Sequence, residues 1–131
     1  MIEDALCLYC TPILATLTPA VPIYWQLVPN GIEEYVSISS VSDSMVIEED
    51  LASDHKQFNI VTKGVAGVIG AAGRAGQIRE LLKTHLQRLK GVFSGVPILG
   101  MSYVRSVELP NPATGEAIIV SEYQINYMEE I

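Results

Sequence analysis

The segment AIIVSEYQINYME, close to the end of the chain, alternates strictly: Tyr123, Ile125 and Tyr127 are interleaved with Glu122, Gln124 and Asn126. A period of two fits a strand with one buried face and one wetted face. Such a strand needs neighbours at its edges and a cover over its apolar side. GVPILGMSYVRSVEL predicts one neighbour, with Met101, Tyr103, Arg105, Val107 and Leu109 on one side. PNPATGE joins the two into a C-terminal β-hairpin. Upstream, IYWQLV (23–28), EYVSISSVSD and HKQFNIVTKG predict three more strands, the last with Phe58, Ile60 and Thr62 on one face. PNGIEE reads as a turn in which Asn30-Gly31 supplies positive φ. DSMVIEEDLASD (43–54) reads as a loop with an acidic tip.

The cover is a helix. From about Gly73 to Lys90, Ile78, Leu81, Leu82, Leu86 and Leu89 recur at helical spacing, and Arg79, Lys83, Gln87 and Lys90 take the wet side. His85, near the stripe, reads as a hydrogen-bonded structural histidine, and Gly91 as the stop. A short N-terminal helix covers residues 2 to about 11. Glu3 and Asp4 suit its first turn. Pro12 ends or kinks it, and ILATL makes a further short turn. The expected fold is α+β: a mostly antiparallel sheet, one long amphipathic helix on a face, a short N-terminal helix and a C-terminal β-hairpin. At 131 residues the chain predicts one domain, 1–131.

GVAGVIGAAGRAGQIRE places a glycine at every third position: Gly64, Gly67, Gly70, Gly73 and Gly76. A phosphate loop needs G-x-x-x-x-G-K-[ST], and no Lys-Ser or Lys-Thr follows these glycines. A dinucleotide fingerprint needs G-x-G-x-x-G inside a parallel βαβ unit and an acid about 20 residues on, where residues 93–99 offer none. The other residues include Val65, Val68, Ile69, Ala71 and Ala72. The segment therefore reads as a flexible apolar linker, ordered against a neighbouring subunit or packed over the sheet edge. Val68 and Ile69 are its candidate contacts.

The net charge of −7, with 15 acids against 8 bases, argues against grip on a nucleic-acid backbone by the whole surface. Five bases (Arg74, Arg79, Lys83, Arg88, Lys90) fall within seventeen residues, and acids gather at 33–34, 48–50 and 129–130. One reading is a solvated helix face. The other pairs Arg74, Arg79 and Lys83 with Glu48, Glu49 and Asp50 of the next copy in an oligomer. A 49% apolar and 18% charged composition leaves room for buried subunit contacts. The acidic start MIEDALCLYC is unlike a secretory segment, and no apolar run reaches the length of a membrane span. Assembly in the cytoplasm is the expectation.

Cys7 and Cys10 form a C-x-x-C. A redox pair sits where a strand opens onto a helix and the thiol pKa is lowered. Here no strand precedes, and Glu3 and Asp4 raise a thiol pKa. A zinc site needs four ligands, and His55 and His85 are thirty residues apart. The pair reads as two small apolar residues on the first helix. EED at 48–50 lacks the alternating ligands and the glycine of a calcium loop. Nothing matches a catalytic triad, a metal site or a cofactor site, so binding or structure is favoured over catalysis.

VPIYWQLVPNGIEEYVSIS as strand, turn and strand, HKQFNIVTKG as the next strand, GRAGQIRELLKTHL as the one long helix and GEAIIVSEYQINYME as the closing strand together resemble the tail terminator, or tail completion (minor tail), proteins of tailed bacteriophages. The resemblance spans nearly the whole chain and lies in pattern, not in a rigid motif. Pro12 and the long apolar glycine stretch depart from it. It implies a non-enzymatic virion protein at the tail–neck junction, in a ring that is typically a hexamer. The ring caps the tail tube protein and joins it to the head–neck connector or stopper. DNA passes through the channel without specific binding, which a negative lining would favour. No cofactor and no membrane are implied. Two alternatives stay open: another neck or head-completion connector protein, and a small cytoplasmic redox or ligand-binding protein that uses Cys7 and Cys10.

Overall fold

The computed structural model describes residues 2–41, 46–48, 51–111 and 114–128. In chain order the elements are α1 (Ile2–Leu14), β1 (Ile23–Trp25), β2 (Tyr35–Ser40), β3 (Val46–Glu48), β4 (Leu51–Thr62), β5 (Gly64–Val65), β6 (Ile69–Gly70), α2 (Ala71–Leu86), β7 (Gly91–Phe93), β8 (Val96–Asn111) and β9 (Glu116–Met128). The main sheet runs β1-β2-β4-β9-β8-β7, with β3 paired to β4. Both helices pack on one face of it. The fold is α+β and mostly antiparallel, and β8 and β9 form the expected long hairpin.

β9 is the centre of the sheet. Ala117, Ile119, Ser121, Tyr123, Ile125 and Tyr127 are buried, and every residue between them is partly exposed. Phe58, Ile60 and Thr62 of β4 are fully buried on the same inner face. Ile78, Leu82 and Leu86 of α2 and Leu6, Cys10 and Leu14 of α1 close the core over them. Phe58, Tyr123 and Tyr103 interlock edge to face, with centroids 5.3 and 5.6 Å apart.

Several boundaries move, each for a physical reason. α1 continues through Pro12 to Leu14. Leu8, Thr11 and Pro12 lie on its exposed side, and Thr11 Oγ1 donates to the Cys7 carbonyl at 2.7 Å, so the proline disturbs only a wetted rim. β1 is three residues long and parallel to β2. Gln26 has φ +63° and turns the chain out of the strand, so residues 26–34 form a return connection, not a hairpin turn. Gly31, at φ +86°, does supply the positive φ.

The loop expected over 43–54 contains β3 and the start of β4. Ala52, Asp54 and Lys56 alternate inward with Phe58 and Ile60. Two buried charges in that register look like solvent-facing polarity. α2 runs 71–86, not 73–90. Arg88, at φ +68°, breaks it, and Gly91 opens β7 instead of capping the helix. Leu89 still reaches the core, at 8% exposure. His85 is exposed, and its backbone carbonyl accepts from Tyr9 Oη.

β8 carries the largest correction. Its register with β9 slips between Tyr103 and Arg105, a bulge that flips all that follows. Met101 and Tyr103 face inward. After the bulge Ser106 pairs with buried Ser121, and Glu108 reaches α2. Arg105, Val107 and Leu109 pair with Glu122, Val120 and Ile118 on the outer face. They do not share a side with Met101 and Tyr103.

Candidate functional site

The glycine segment is not a flexible linker. β5 and β6 form a small antiparallel hairpin that leads straight into α2. Gly64 has φ +85°, and a Cβ there would stand 2.5 Å from the Ile69 carbonyl oxygen. A Cβ on Gly73 would stand 2.9 Å from Ile69 Cγ1. Gly67, at φ +75°, turns the tip. The glycines thus permit one tight turn and one close approach of Ile69 to the helix. Val68 stands on the tip with 81% of its surface exposed, and Ile69 is half-buried.

The C-x-x-C lies on α1, one turn apart. Cys10 is fully buried and Cys7 partly so. Burial, then the charges of Asp4 and Glu3, raises the Cys7 thiol. Burial, then Cys7, pushes Cys10 up to about 12. Both remain protonated at neutral pH and are poor nucleophiles. Among the described residues no three His, Cys, Asp or Glu side chains converge to hold a metal ion. No helix among them is long and apolar enough to cross a membrane. A shallow, open groove of about 420 Å³ runs along the β5–β6 hairpin between Lys63 and Gly70, and an apolar notch of about 90 Å³ lies between Ala72 and Ala75 of α2 and Leu109 and Ala117 of the β8–β9 hairpin. Small-molecule sites occupy about 300–1,000 Å³.

What the structure builds with charge is a set of ties and one polarised surface. Arg74 is 2% exposed. Its Nε and Nη2 donate to both oxygens of Glu34 at 2.9 and 3.0 Å, and Nη2 also donates to the Pro19 carbonyl at 2.6 Å. Thr62 Oγ1 donates to the same carboxylate. Burial alone would raise the Glu34 carboxyl; the hydrogen bonds from Arg74 and Thr62 and the Arg74 charge hold it below the ordinary value. Arg74 therefore spends its guanidinium inside the chain and locks the start of α2 to the β1–β2 connection.

Arg79 bonds Glu108 on β8 at 2.7 Å and also contacts Glu80. Lys83 stands 4.4 Å over the Tyr103 ring. These two remain at the surface, beside β8. Glu48 lies in β3; its side chain, and Glu49 and Asp50 altogether, lie outside the described residues. The structure thus brings Arg79 and Lys83 together and separates them from Arg74.

Sequence reasoning missed Lys56. Its Nζ sits between Glu3 Oε1 at 3.0 Å and Asp54 Oδ2 at 2.9 Å, donates to Ser40 Oγ at 2.7 Å, and lies 5.3 Å from the Trp25 ring. It ties α1 to β1, β2 and β4 from inside the core. A lysine in phase with Phe58 and Ile60 was the available signal.

No protein-family model and no curated protein matches the sequence. Solved structures do share the fold. A chain of the virion of a native gene transfer agent particle superposes with a TM-score of 0.67. It is 15% identical, over 95% of this chain and 93% of its own. A second solved protein superposes with a TM-score of 0.56 at 15% identity, over 99% of this chain and 94% of its own. At these identities the likeness is one of fold, and it runs nearly end to end.

Proposed function

We propose that this chain is a structural virion protein of the tail-terminator kind. Copies form a ring, a hexamer in this reading, that caps the tail tube and joins it to the head–neck connector. The observation that carries the proposal is the end-to-end match of the fold to a subunit of a gene transfer agent virion. It agrees with the resemblance of the sequence to tail terminators. The role is mechanical and needs no cofactor. The acidic excess suits a channel through which DNA slides without sticking. In this reading Arg79 and Lys83, with the acidic run 48–50 of the next copy as their partner, and the hairpin tip at Val68 and Ile69 make the contacts with neighbours.

Native mass spectrometry with negative-stain imaging tests the reading. The expected result is a closed ring of about six copies with a central hole. A strict monomer at millimolar concentration, with and without divalent cation, overturns it. The redox alternative predicts that Cys7→Ser with Cys10→Ser abolishes function; the raised thiol pKa values favour no loss of assembly.

A further inference from the structure

One edge of the main sheet is left open. β7 covers only residues 96–98 of β8, and the Arg88 amide takes the Met101 carbonyl. Over residues 102–109 no described strand lies along β8 on the side away from β9. Open edges are normally blunted by brevity, proline, a bulge or a charge. The bulge at Val104 disturbs this one, but residues 105–109 stay in register with β9 and have no strand on their other side. Arg105 and Glu108 are the charges there, and both are engaged within the chain, with Glu122 and Arg79. Val104, Val107 and Leu109 are exposed by 46–51%. An open edge with this apolar border fits a strand from another chain.

The charge beside this edge is of one sign and unspent. Residues 81–107 hold four of the eight bases and no acid. Arg105 is paired with Glu122, and Lys83 meets only the ring face of Tyr103. Arg88 and Lys90 are exposed, and among the described residues no carboxylate holds either. These last three cations border one stretch of β8. Lys90 precedes Gly91, the partner of Ile98; Arg88 bonds Met101; Lys83 stands over Tyr103. The open run begins at that stretch. A second copy offers little to meet them there, because its Glu3, Asp54, Glu33 and Glu34 already hold Lys56, Lys63 and Arg74.

We propose that the open edge of β8 receives an extended segment of a partner protein, apolar where it borders Val107 and Leu109 and acidic where it passes Lys83, Arg88 and Lys90. Main-chain pairing supplies affinity, and the charges supply register and direction. β8 runs from the cations toward Leu109, so an antiparallel partner, the better-paired arrangement, carries its acids at its C-terminal end. A nucleic-acid backbone would answer the cations alone and leave the unpaired amides and the apolar border unused. The edge belongs to a single copy and binds in this way whether or not copies close into a ring.

The probe is the peptide Thr-Val-Thr-Val-Thr-Val-Glu-Asp-Glu, blocked at both ends and labelled, read by fluorescence anisotropy on the wild-type chain in whatever assembly state it adopts. The expected result is saturable binding. Arg88→Gln with Lys90→Gln, two exposed positions, weakens it by about three- to tenfold, the scale of two exposed ion pairs. Methylating alternate amides separates strand pairing from plain attraction. Of the two peptides methylated on odd or on even residues, one loses binding and the other keeps it. No binding of the unmethylated peptide, or equal binding of both methylated forms, overturns the inference. So does a short DNA duplex that binds more tightly than the peptide and is lost with the same two substitutions. Val107→Cys in a Cys7→Ser background tests for a second copy on the edge. Cross-linking between copies by a short bismaleimide, undiminished by saturating peptide, overturns the inference; protection by the peptide supports it. Each of these outcomes leaves the ring reading untouched.

Discussion

Lys56 is a cation with almost no route to water: it is 2% exposed and held between two carboxylates. Removing one member of such a cluster strands the others, which generally costs more than the cluster gained by forming. Lys56→Met leaves Glu3 and Asp54 facing each other in the core, and unfolding by urea is expected to show a loss of about 3–5 kcal/mol. Tyr123 is the opposite case. Its hydroxyl is buried without a hydrogen-bond partner among the described residues, and burial, with Tyr103 next, raises its pKa. Tyr123→Phe removes the unsatisfied group and keeps both ring contacts, so the melting temperature is expected to hold or rise; a fall of several degrees would mean that the hydroxyl has a partner. Glu34 sets an acid limit. Its carboxyl is depressed in the fold, so the stability it contributes is complete above the unfolded value near 4.5 and is lost as pH falls through the lower folded value. Arg74→Ala is expected to cost about 2–4 kcal/mol at pH 7, less than a fully buried pair because Glu34 keeps some contact with water, and to flatten the acid limb of a stability–pH curve.

At the scale of elements, β9, the helix stripe and the β8–β9 hairpin are legible in the sequence because their burial repeats with a clean period. Ile78, Leu82 and Leu86 fall where the stripe puts them. What stays hidden depends on pairing between distant segments. The bulge in β8 leaves no local mark, so an unbroken alternation from Met101 to Leu109 describes a strand that in fact changes face after Tyr103. β1 lies parallel to β2 because Gln26 adopts a left-handed turn, which no turn-forming residue announces. The glycines lend themselves to a direct test. Gly64→Ala meets a carbonyl oxygen at 2.5 Å and keeps φ at +85°, whereas at Gly70 nothing lies within 4 Å of the new methyl. Thermal unfolding is expected to show a loss of about 2–4 kcal/mol for the first and less than about 1 kcal/mol for the second, which only exchanges glycine for alanine at the N-cap of α2. Equal effects would mean that the β5–β6 turn is not fixed as the structure has it.

At the scale of the whole molecule, charge ties the two halves of the chain together. Acids of the first half hold bases of the second: Glu3 and Asp54 hold Lys56, Glu33 lies 3.3 Å from Lys63, and Glu34 holds Arg74. The acidic stretch and the basic helix are each visible in the sequence, but neither tells where the other lies; only the fold sets Arg74 against Glu34 and Arg79 against Glu108. With these charges spent inside the chain, the net charge of −7 repels copies from one another in every orientation. The repulsion acts over distances comparable to the Debye length, about 8 Å at physiological ionic strength. Raising salt from about 0.05 to 0.5 M is therefore expected to speed self-association. Stopped-flow light scattering on assemblies diluted and re-formed at several salt concentrations would read the rate. An association rate that falls with salt would mean that complementary charges on the facing surfaces outweigh the general repulsion.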